Sequence, residues 1–294
     1  MKNDGLRIHV NMAEYASMKT GGTAEECYFP ETEEGLCDVV RRLASAKRRF
    51  AVLGNLTNVL LSDGILSFTP VVTSGIRTNG VTEKTADGLI LYASCGVSLT
   101  RLAYETAKAG QTGLEFAYGI PGSLGGAVFM NAGAYGSEMK NVVRAVRYYN
   151  AAQDCVETVP AETCAFGYRS SAFQTKGGVI LGAELALSYD SPEGCLARAK
   201  DFMQRRTSKQ PLEYPSCGSA FKRPEGYFAG ELIEKCGLKG FAVGGACVSE
   251  KHAGFIVNKG GATTKDVVEL MQLVVSRVRE QFGVTLEPEI QRMD

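Results

Sequence analysis

Gly119-Ile-Pro-Gly-Ser-Leu-Gly-Gly-Ala-Val-Phe-Met-Asn-Ala-Gly-Ala-Tyr-Gly136 is the stretch that restricts the fold of this chain most strongly. It holds six glycines and no charged side chain. Dense glycine is typical of backbone that adopts positive φ or approaches another group closely, and backbone N–H groups in tight turns can bind an anion. A flexible linker is the alternative, but linkers are polar, whereas this stretch carries Leu124, Val128 and Phe129. We therefore interpret it as a packed loop that binds a phosphate or a cofactor.

The charge balance argues against several classes of partner. The chain of 294 residues has 32 Lys and Arg against 32 Asp and Glu, so its formal net charge is zero. The short basic cluster Lys47-Arg48-Arg49 is typical of a solvated helix end rather than of a nucleic-acid surface. No apolar run reaches the about 20 residues that a membrane-spanning helix needs, and the N-terminus lacks the apolar core of a secretory signal. We expect a cytoplasmic protein with no nucleic-acid partner and no membrane insertion.

The cysteine and histidine pattern does not predict a metal site. Nine cysteines occur without any Cys-x-x-Cys pair, and His9 and His252 are the only histidines. We expect no metal ligand set and interpret the cysteines as reduced, mostly buried small hydrophobes. Cys217 lies inside a candidate site but has no base partner in the sequence, so we assign it to packing. His9 receives no role, and His252 is interpreted as structural or peripheral.

Helix and strand signals alternate along the chain and predict an α+β protein. Thr32 can N-cap a helix that starts with Glu33 and Glu34, and Ser98 and Ser191 are similar caps further on. Residues 50–53 read as a buried strand, and residues 284–286 and 288–290 as a strand-like tail. We predict three parts, residues 1–70, 71–190 and 191–283, followed by a tail at 284–294. Two glycine-containing loops follow predicted strands, at residues 54–58 and 119–136. Neither loop has the Gly-x-Gly-x-x-Gly or Walker A pattern, so a Rossmann NAD fold and a P-loop NTPase are poorly supported.

Eight sequence blocks together resemble one enzyme family. They are Ser17-Met-Lys-Thr-Gly-Gly22, Leu53-Gly-Asn-Leu-Thr-Asn-Val-Leu60, Gly113-Leu-Glu-Phe116, the 119–136 stretch, Gly167-Tyr-Arg169, Pro215-Ser-Cys-Gly-Ser-Ala-Phe-Lys222, Val248-Ser-Glu-Lys-His-Ala-Gly-Phe-Ile-Val-Asn258 and Leu286-Glu-Pro-Glu289. In this order, and over nearly the whole chain, they resemble the UDP-N-acetylenolpyruvoylglucosamine reductases. The short spacing between Arg169 and Ser219 resembles the subtype that lacks an extra substrate-covering loop.

The resemblance implies a fold and two cofactors. The fold is an FAD-binding module of two subdomains, residues 1–70 and 71–190, of the vanillyl-alcohol-oxidase-like type. A C-terminal α+β substrate domain follows at residues 191–283, and the tail at 284–294 returns to the FAD module. The cofactors are FAD and NADPH, and no metal is implied. The residues assigned to FAD by the resemblance are Gly54, Asn55, Thr57, Asn58, Gly119, Ile120, Pro121, Gly122, Ser123, Gly125, Gly126, Asn131, Ala132 and Gly133.

One block departs from the family pattern. The loop of the family usually reads Gly-x-Gly-Ser-Asn, but here Leu56 and Thr57 replace the second glycine and the serine. A Cβ at position 56 restricts positive φ and limits close approach of the backbone. Thr57 keeps a hydroxyl donor. We expect FAD to bind, with altered or weaker phosphate contacts near Leu56.

The reaction implied by the resemblance is the reduction of UDP-N-acetylglucosamine enolpyruvate to UDP-N-acetylmuramate, a step in peptidoglycan precursor synthesis. Hydride addition leaves charge on the neighbouring carbon and its carboxylate, which requires fixed donors and an acid. Arg169 matches the electrostatic stabiliser, since a guanidinium can bind a carboxylate with two hydrogen bonds. Ser219 matches the proton donor, and Glu289 matches a carboxyl group that donates to the enolate.

Each of these assignments has a competing structural interpretation. Arg169 can be a surface turn residue, Ser219 a turn serine that bonds its own backbone, and Glu289 an exposed tail carboxylate. The nearest competitors for the two latter roles are Ser216 and Glu287. The candidate substrate contacts are Tyr168, Lys222 and Asn258, although Tyr168 can equally be a packed aromatic residue and a lone lysine is more often solvated.

Two further functions stay open at this point. One is an FAD-dependent oxidase of the same superfamily, which passes electrons to oxygen. The other is a flavin- or nucleotide-sugar-binding protein that has lost catalysis, which the change at Leu56 keeps under consideration. The presence of Arg169, Ser219 and Glu289 argues for the reductase, and we expect a monomer or weak oligomer.

Overall fold

The structure is a computed structural model that describes residues 4–294. Its helices are α1 (Glu33–Ser45), α2 (Leu99–Lys108), α3 (Leu124–Phe129), α4 (Pro192–Lys209), α5 (Ala229–Lys235) and α6 (Thr264–Phe282). Its strands are β1 (Arg7–Asn11), β2 (Thr23–Cys27), β3 (Phe50–Leu53), β4 (Val59–Leu61), β5 (Thr69–Val72), β6 (Asn79–Lys84), β7 (Gly88–Ser94), β8 (Gln111–Thr112), β9 (Gly133–Ala134), β10 (Ser137–Glu138), β11 (Val143–Asn150), β12 (Cys155–Pro160), β13 (Val179–Tyr189), β14 (Ser216–Ser219), β15 (Ala242–Val243), β16 (Ala246–Val248), β17 (Phe255–Asn258) and β18 (Gln291–Met293). The chain is therefore α+β, as the sequence predicts.

The helix caps form as their residue types predict. The Thr32 hydroxyl accepts a hydrogen bond from the Gly35 N–H at 3.0 Å and starts α1. Ser191 accepts in the same way from the Gly194 N–H at 3.1 Å at the start of α4. Such caps satisfy backbone donors that the first helical turn leaves without partners. The start of both helices is thus a local consequence of the sequence.

The chain forms two compact units. The first contains Glu26–Asn55 and Thr69–Arg206 together with the segment up to Arg7. The second contains Ile8–Glu25, Leu56–Phe68 and Thr207–Asp294. Each unit therefore combines separate segments of the chain, whereas the predicted parts, divided at residues 70, 190 and 283, are continuous segments. That division stays a prediction.

The first unit is built on a large antiparallel sheet. Its strands follow the order β12-β11-β13-β7-β6, and β8 pairs with the end of β13. One core lies among this sheet, α2 and α3, with Leu99, Leu124 and Leu185 fully buried. A second core packs the apolar side of α1 against the parallel pair β3-β5 and residues of the sheet. The glycine-rich stretch, which includes α3, borders the first of these cores.

The second unit combines a smaller sheet with α5 and α6. The sheet has the strand order β14-β17-β16-β15. The α6 residues Val267, Leu270 and Val274 are fully buried in its core, and their spacing of three and four residues places them on one face of the helix. Gly283 ends α6 in the left-handed region, at φ 70°. Over residues 4–294, no helix combines the length and apolar character needed to span a bilayer.

The tail of the chain differs from the prediction. We expected strand structure at residues 284–286 and 288–290, which is wrong: the final strand is β18 (Gln291–Met293), parallel to β4. Pro288 makes only an isolated bridge, to Phe221. Because proline has no N–H to donate, it limits a continuous ladder at this position, and regular pairing begins beyond it.

Candidate active site

The glycine-rich stretch folds into tight turns followed by the short helix α3, which the sequence analysis did not predict. Gly119 has φ 87° and Gly122 has φ 137°, conformations that favour glycine. Ser123 caps α3, its hydroxyl accepting from the Gly126 N–H at 3.3 Å. Several backbone N–H groups therefore lie close together within residues 119–123.

Gly54 brings the loop after β3 against this segment. An ideal Cβ on Gly54 would overlap the Ser123 hydroxyl oxygen. A Cβ on Gly125 would lie 2.8 Å from the Cβ of Cys95. Glycine is therefore required at both positions, and the loop after β3 meets the glycine-rich stretch within the first unit.

The backbone donors of the stretch fit an anionic ligand. Over residues 4–294, the N–H groups of Gly119, Gly122 and Ser123 donate to no protein group. Gly119 and Gly122 are half-buried, so their N–H groups can donate to a bound ligand that supplies acceptor oxygens. A diphosphate has this chemistry. The assignment of the individual FAD contacts stays a prediction.

Leu56 adopts the left-handed conformation that favours glycine. Its φ is 49°, and its side chain is buried at 4% exposure. Its carbonyl accepts a hydrogen bond from the Ser17 N–H at 3.1 Å. A left-handed conformation costs a residue with a Cβ about 1–2 kcal/mol, so burial of the leucine and this bond hold a strained backbone. The expected restriction of positive φ therefore does not prevent the turn from forming.

Arg169 lies at the tip of a tight turn in the first unit. Backbone hydrogen bonds of 3.1 and 3.2 Å join Gly167 and Ser170 on either side of it. Arg169 itself has φ 53°, and its guanidinium donates to the Gly133 carbonyl at 3.1 Å. Its guanidinium carbon also lies 5.1 Å from the ring centre of Tyr168, which is 51% exposed. The turn thus fixes the guanidinium beside the glycine-rich stretch.

Asn131 ties the same turn to the glycine-rich stretch. It is fully buried at 0% exposure. Its amide nitrogen donates to the Gly167 carbonyl at 2.8 Å, and its amide oxygen accepts from the Lys140 N–H at 2.9 Å. The side chain therefore positions the Arg169 turn, and the predicted contact of Asn131 with FAD stays a prediction.

Ser219 and Glu289 occupy neighbouring positions in the second unit. Ser219 ends β14, and the next residue, Ala220, donates its N–H to the Gly254 carbonyl at 2.8 Å. The Ala220 carbonyl accepts from the Glu289 N–H at 2.9 Å. The Asn58 side chain donates to the Glu289 carbonyl at 3.2 Å. A predicted proton donor, a predicted carboxyl group and a predicted FAD contact are thus connected through backbone groups.

The two remaining candidate substrate contacts have partners within the second unit. Lys222 forms an ion pair with Glu287. Asn258 is buried, and its amide bonds the Met18 carbonyl at 3.0 Å and the N–H groups of Gly260 and Ala262 at 2.9 and 3.2 Å. Asn258 therefore has a structural role, and its contact with substrate stays a prediction, as does that of Lys222.

Cys217 is suited to packing rather than to nucleophilic chemistry. It is buried, and its thiol lies 3.4 Å from the Val59 carbonyl. Burial raises the pKa of the Cys217 thiol to about 12, an effect only partly offset by hydrogen bonds to backbone. A thiol that stays protonated is a poor nucleophile.

Comparisons with known proteins identify the family. Residues 210–293 match the model of the UDP-N-acetylenolpyruvoylglucosamine reductase C-terminal domain, and residues 25–158 match that of an FAD binding domain. A UDP-N-acetylenolpyruvoylglucosamine reductase of Clostridium perfringens is 42% identical over 98% of this chain and 92% of its own length. One of Caldicellulosiruptor bescii is 41% identical over 99% of this chain and 92% of its own length. The chain belongs to the UDP-N-acetylenolpyruvoylglucosamine reductase family.

A solved structure of the UDP-N-acetylenolpyruvoylglucosamine reductase family has the same fold. The reductase from Thermus caldophilus superposes with a TM-score of 0.82 at 34% identity, covering 98% of this chain and all of its own. The FAD-binding match includes Gly54 and the whole of residues 119–136. FAD is therefore the cofactor of this reductase-family chain, and the glycine-rich stretch lies in its FAD-binding domain.

A buried ionic group beside the glycine-rich stretch was missed by the sequence analysis. Glu115 is 5% exposed and accepts hydrogen bonds from the Thr112 hydroxyl and the Gly113 N–H, both at 2.7 Å. Arg198 of α4 donates to the same carboxylate at 2.8 Å. Burial alone would raise the pKa of Glu115, but these hydrogen bonds hold it below its ordinary value. The signal in the sequence was the single carboxylate, Glu115, between the apolar residues Leu114 and Phe116.

Proposed function

We propose that this chain catalyses the NADPH-dependent, FAD-mediated reduction of UDP-N-acetylglucosamine enolpyruvate to UDP-N-acetylmuramate, a cytoplasmic step of peptidoglycan precursor synthesis. Family membership and the FAD-binding match support the reaction class. The backbone bond between Ala220 and Glu289 is the observation that carries the residue assignment, because it connects an acid donor and a carboxyl group within one unit. Arg169 belongs to the other unit.

The residues that would hold FAD are those of the two glycine-containing loops. The N–H groups of Gly119, Gly122 and Ser123 would donate to its diphosphate, with Gly54 and Asn55 alongside. These N–H groups make no other hydrogen bond in the described part of the chain. Bound FAD would take hydride from NADPH and supply it to the methylene carbon of the enolpyruvyl ether.

Arg169 acts on the negative charge that the reaction creates. When hydride adds to the methylene carbon, the electron pair of the double bond moves to the neighbouring carbon and is delocalised into its carboxylate. A guanidinium stays charged and can bind both carboxylate oxygens. Because Arg169 is anchored on the Gly133 carbonyl, it stabilises this charge without first having to reorganise.

Ser219 completes the reaction by protonating carbon. Its hydroxyl proton is transferred to the carbon that carries the charge, and the resulting alkoxide is reprotonated from solvent. The carboxyl group of Glu289 donates a hydrogen bond to the enolate oxygens. The product then has a methyl group where the substrate had methylene, and a C–H bond at the neighbouring carbon.

Anaerobic visible spectroscopy tests this function. The purified protein, reconstituted with FAD, is expected to lose its flavin colour when NADPH is added and to regain it when the enolpyruvyl UDP-sugar is added. Recolouring by oxygen but not by the sugar would favour the oxidase. A colourless protein that does not take up FAD would contradict the proposal.

A further inference from the structure

His252 belongs to a turn that precedes β17. Its Nδ1 accepts a hydrogen bond from the Gly254 N–H at 3.1 Å. The backbone N–H of His252 donates to the Ser249 hydroxyl at 3.2 Å, and the backbone carbonyl of His252 accepts from the Phe255 N–H at 2.9 Å. The imidazole is thus part of the hydrogen bonding that shapes this turn.

The turn is connected to both predicted catalytic groups of the second unit. The Gly254 carbonyl accepts from the Ala220 N–H at 2.8 Å, and the Ala220 carbonyl accepts from the Glu289 N–H at 2.9 Å. Ser219 also pairs with Phe255 in the ladder of β14 and β17. A shift of Gly254 would therefore move the backbone at Ser219 and at Glu289.

Close packing holds the imidazole in this orientation. An ideal Cβ on Gly254 would lie 3.0 Å from His252 Cε1, and one on Gly230, in α5, would lie 3.3 Å from the same atom. The ring also meets Phe255 edge-on, with 5.0 Å between ring centres. The ring therefore packs directly against Gly254, Gly230 and Phe255.

The hydrogen bond requires a neutral imidazole protonated at Nε2. An N–H at Nδ1 would face the Gly254 N–H, and two donors cannot pair. Burial lowers the pKa of His252 below its ordinary value, and Lys239 and Lys209 act in the same direction while Glu234 opposes them. Neutral imidazole is consequently the form present at pH 7.

We propose that His252 is a positioning residue for Ser219 and Glu289, its Nδ1 fixing Gly254 and thereby the two backbone segments that carry these side chains. The inference rests on the proposed function, since it concerns the transfer of the proton to substrate. It does not concern the reduction of FAD by NADPH, which needs neither side chain and serves as the internal control.

Two substitutions separate the hydrogen bond from packing. His252→Asn keeps an acceptor at the place of Nδ1, whereas His252→Phe keeps the ring and its contact with Phe255. We expect His252→Phe to slow reoxidation of the reduced flavin by substrate about 100-fold. His252→Asn should slow it by less than about tenfold, and reduction by NADPH should be unchanged in both. The opposite order, or equal loss in both half-reactions, would overturn the proposal.

The pH dependence of reoxidation gives a second test. The wild type should lose rate as the pH falls through the acid range of imidazole, and His252→Asn should lack that loss, since an amide does not titrate there. Identical acid limbs in the two proteins would contradict the proposal. If the wild type does not reduce the sugar at all, the proposed function fails instead.

Nuclear magnetic resonance tests the inference without turnover. The chain has two histidines, His9 and His252, so His9→Gln assigns both imidazoles. We expect His252 at pH 7 to be neutral with its proton on Nε2, and amide exchange over residues 217–222 to be faster in His252→Phe than in His252→Asn. A protonated Nδ1, or exchange that is the same in both variants, would overturn the proposal.

Discussion

The Glu289 N–H and the Ala220 carbonyl form a 2.9 Å hydrogen bond between the chain end and the segment that follows β14. The same two segments meet again where the Lys222 N–H donates to the Glu287 carbonyl at 2.8 Å. This pairing places Glu289 beside Ala220, next to Ser219, while the Glu287 side chain pairs with Lys222. The two glutamates, only two residues apart, therefore have different surroundings.

Glu289→Ala should therefore impair catalysis far more than Glu287→Ala. We expect Glu289→Ala to slow reoxidation of reduced flavin by substrate about 100-fold, the effect of removing one donor from a developing oxyanion. Glu287→Ala removes only a partly exposed ion pair with Lys222 and should have little effect. Stopped-flow absorbance under anaerobic conditions measures both. Equal rates in the two variants would argue against Glu289.

The strained conformation of Leu56 predicts an unusual order of stability. Leu56→Ala and Leu56→Gly both lose the burial of the leucine, at a cost of about 2–5 kcal/mol. Only glycine relieves the left-handed backbone at φ 49°. Leu56→Gly should therefore be about 1 kcal/mol more stable than Leu56→Ala. Urea unfolding measures this difference, and an alanine variant as stable as the glycine variant would show that the backbone is not strained.

The lowered pKa of Glu115 predicts a free energy of unfolding that depends on pH. Its pKa lies below the ordinary 4.5, so the unfolded state takes up the proton first. The stability contributed by the charged form is thus complete above 4.5 and is lost as the pH falls through the folded-state pKa. Glu115→Gln should be destabilised by about 1–3 kcal/mol at neutral pH, and the difference from wild type should shrink in acid.

A surface ion pair provides the control for Glu115. Asp201 pairs with Arg205 at 2.7 Å on the exposed side of α4. Asp201→Asn should change the free energy of unfolding little at any pH. A Glu115→Gln difference that stays constant from neutral pH to acid would contradict the assigned pKa shift.

Local signals made much of the fold predictable. Thr32 and Ser191 identify the starts of their helices because a capping hydroxyl acts within three residues. The buried residues of α6 recur at the helical period, which is also a signal carried by the local sequence. The glycine-rich stretch predicted close approach of backbone, and the contact between Gly54 and Ser123 is its outcome.

The long-range part of the site required coordinates. Nothing in the local sequence indicates that Glu289 pairs with Ala220, because the two are separated by most of the second unit. The three hydrogen bonds between the Asn258 amide and backbone groups were not indicated by the sequence, and the predicted contact of Asn258 with substrate stays a prediction. Leu56 was expected to resist positive φ, but tertiary burial stabilises that conformation. Such outcomes depend on packing between distant segments, which local propensity does not encode.

Single-turnover kinetics of Ser219→Ala test the central claim most directly, with Ser216→Ala as the matched control from the same strand. Flavin reduced by NADPH is mixed anaerobically with the enolpyruvyl UDP-sugar, and the return of flavin colour is followed. We predict that Ser219→Ala slows this step about 10²–10⁴-fold, the range for loss of a general acid. Its reduction by NADPH, and both steps in Ser216→Ala, should stay near the wild-type rate. Reoxidation of Ser219→Ala at the wild-type rate, or equal slowing of both steps, would contradict the account.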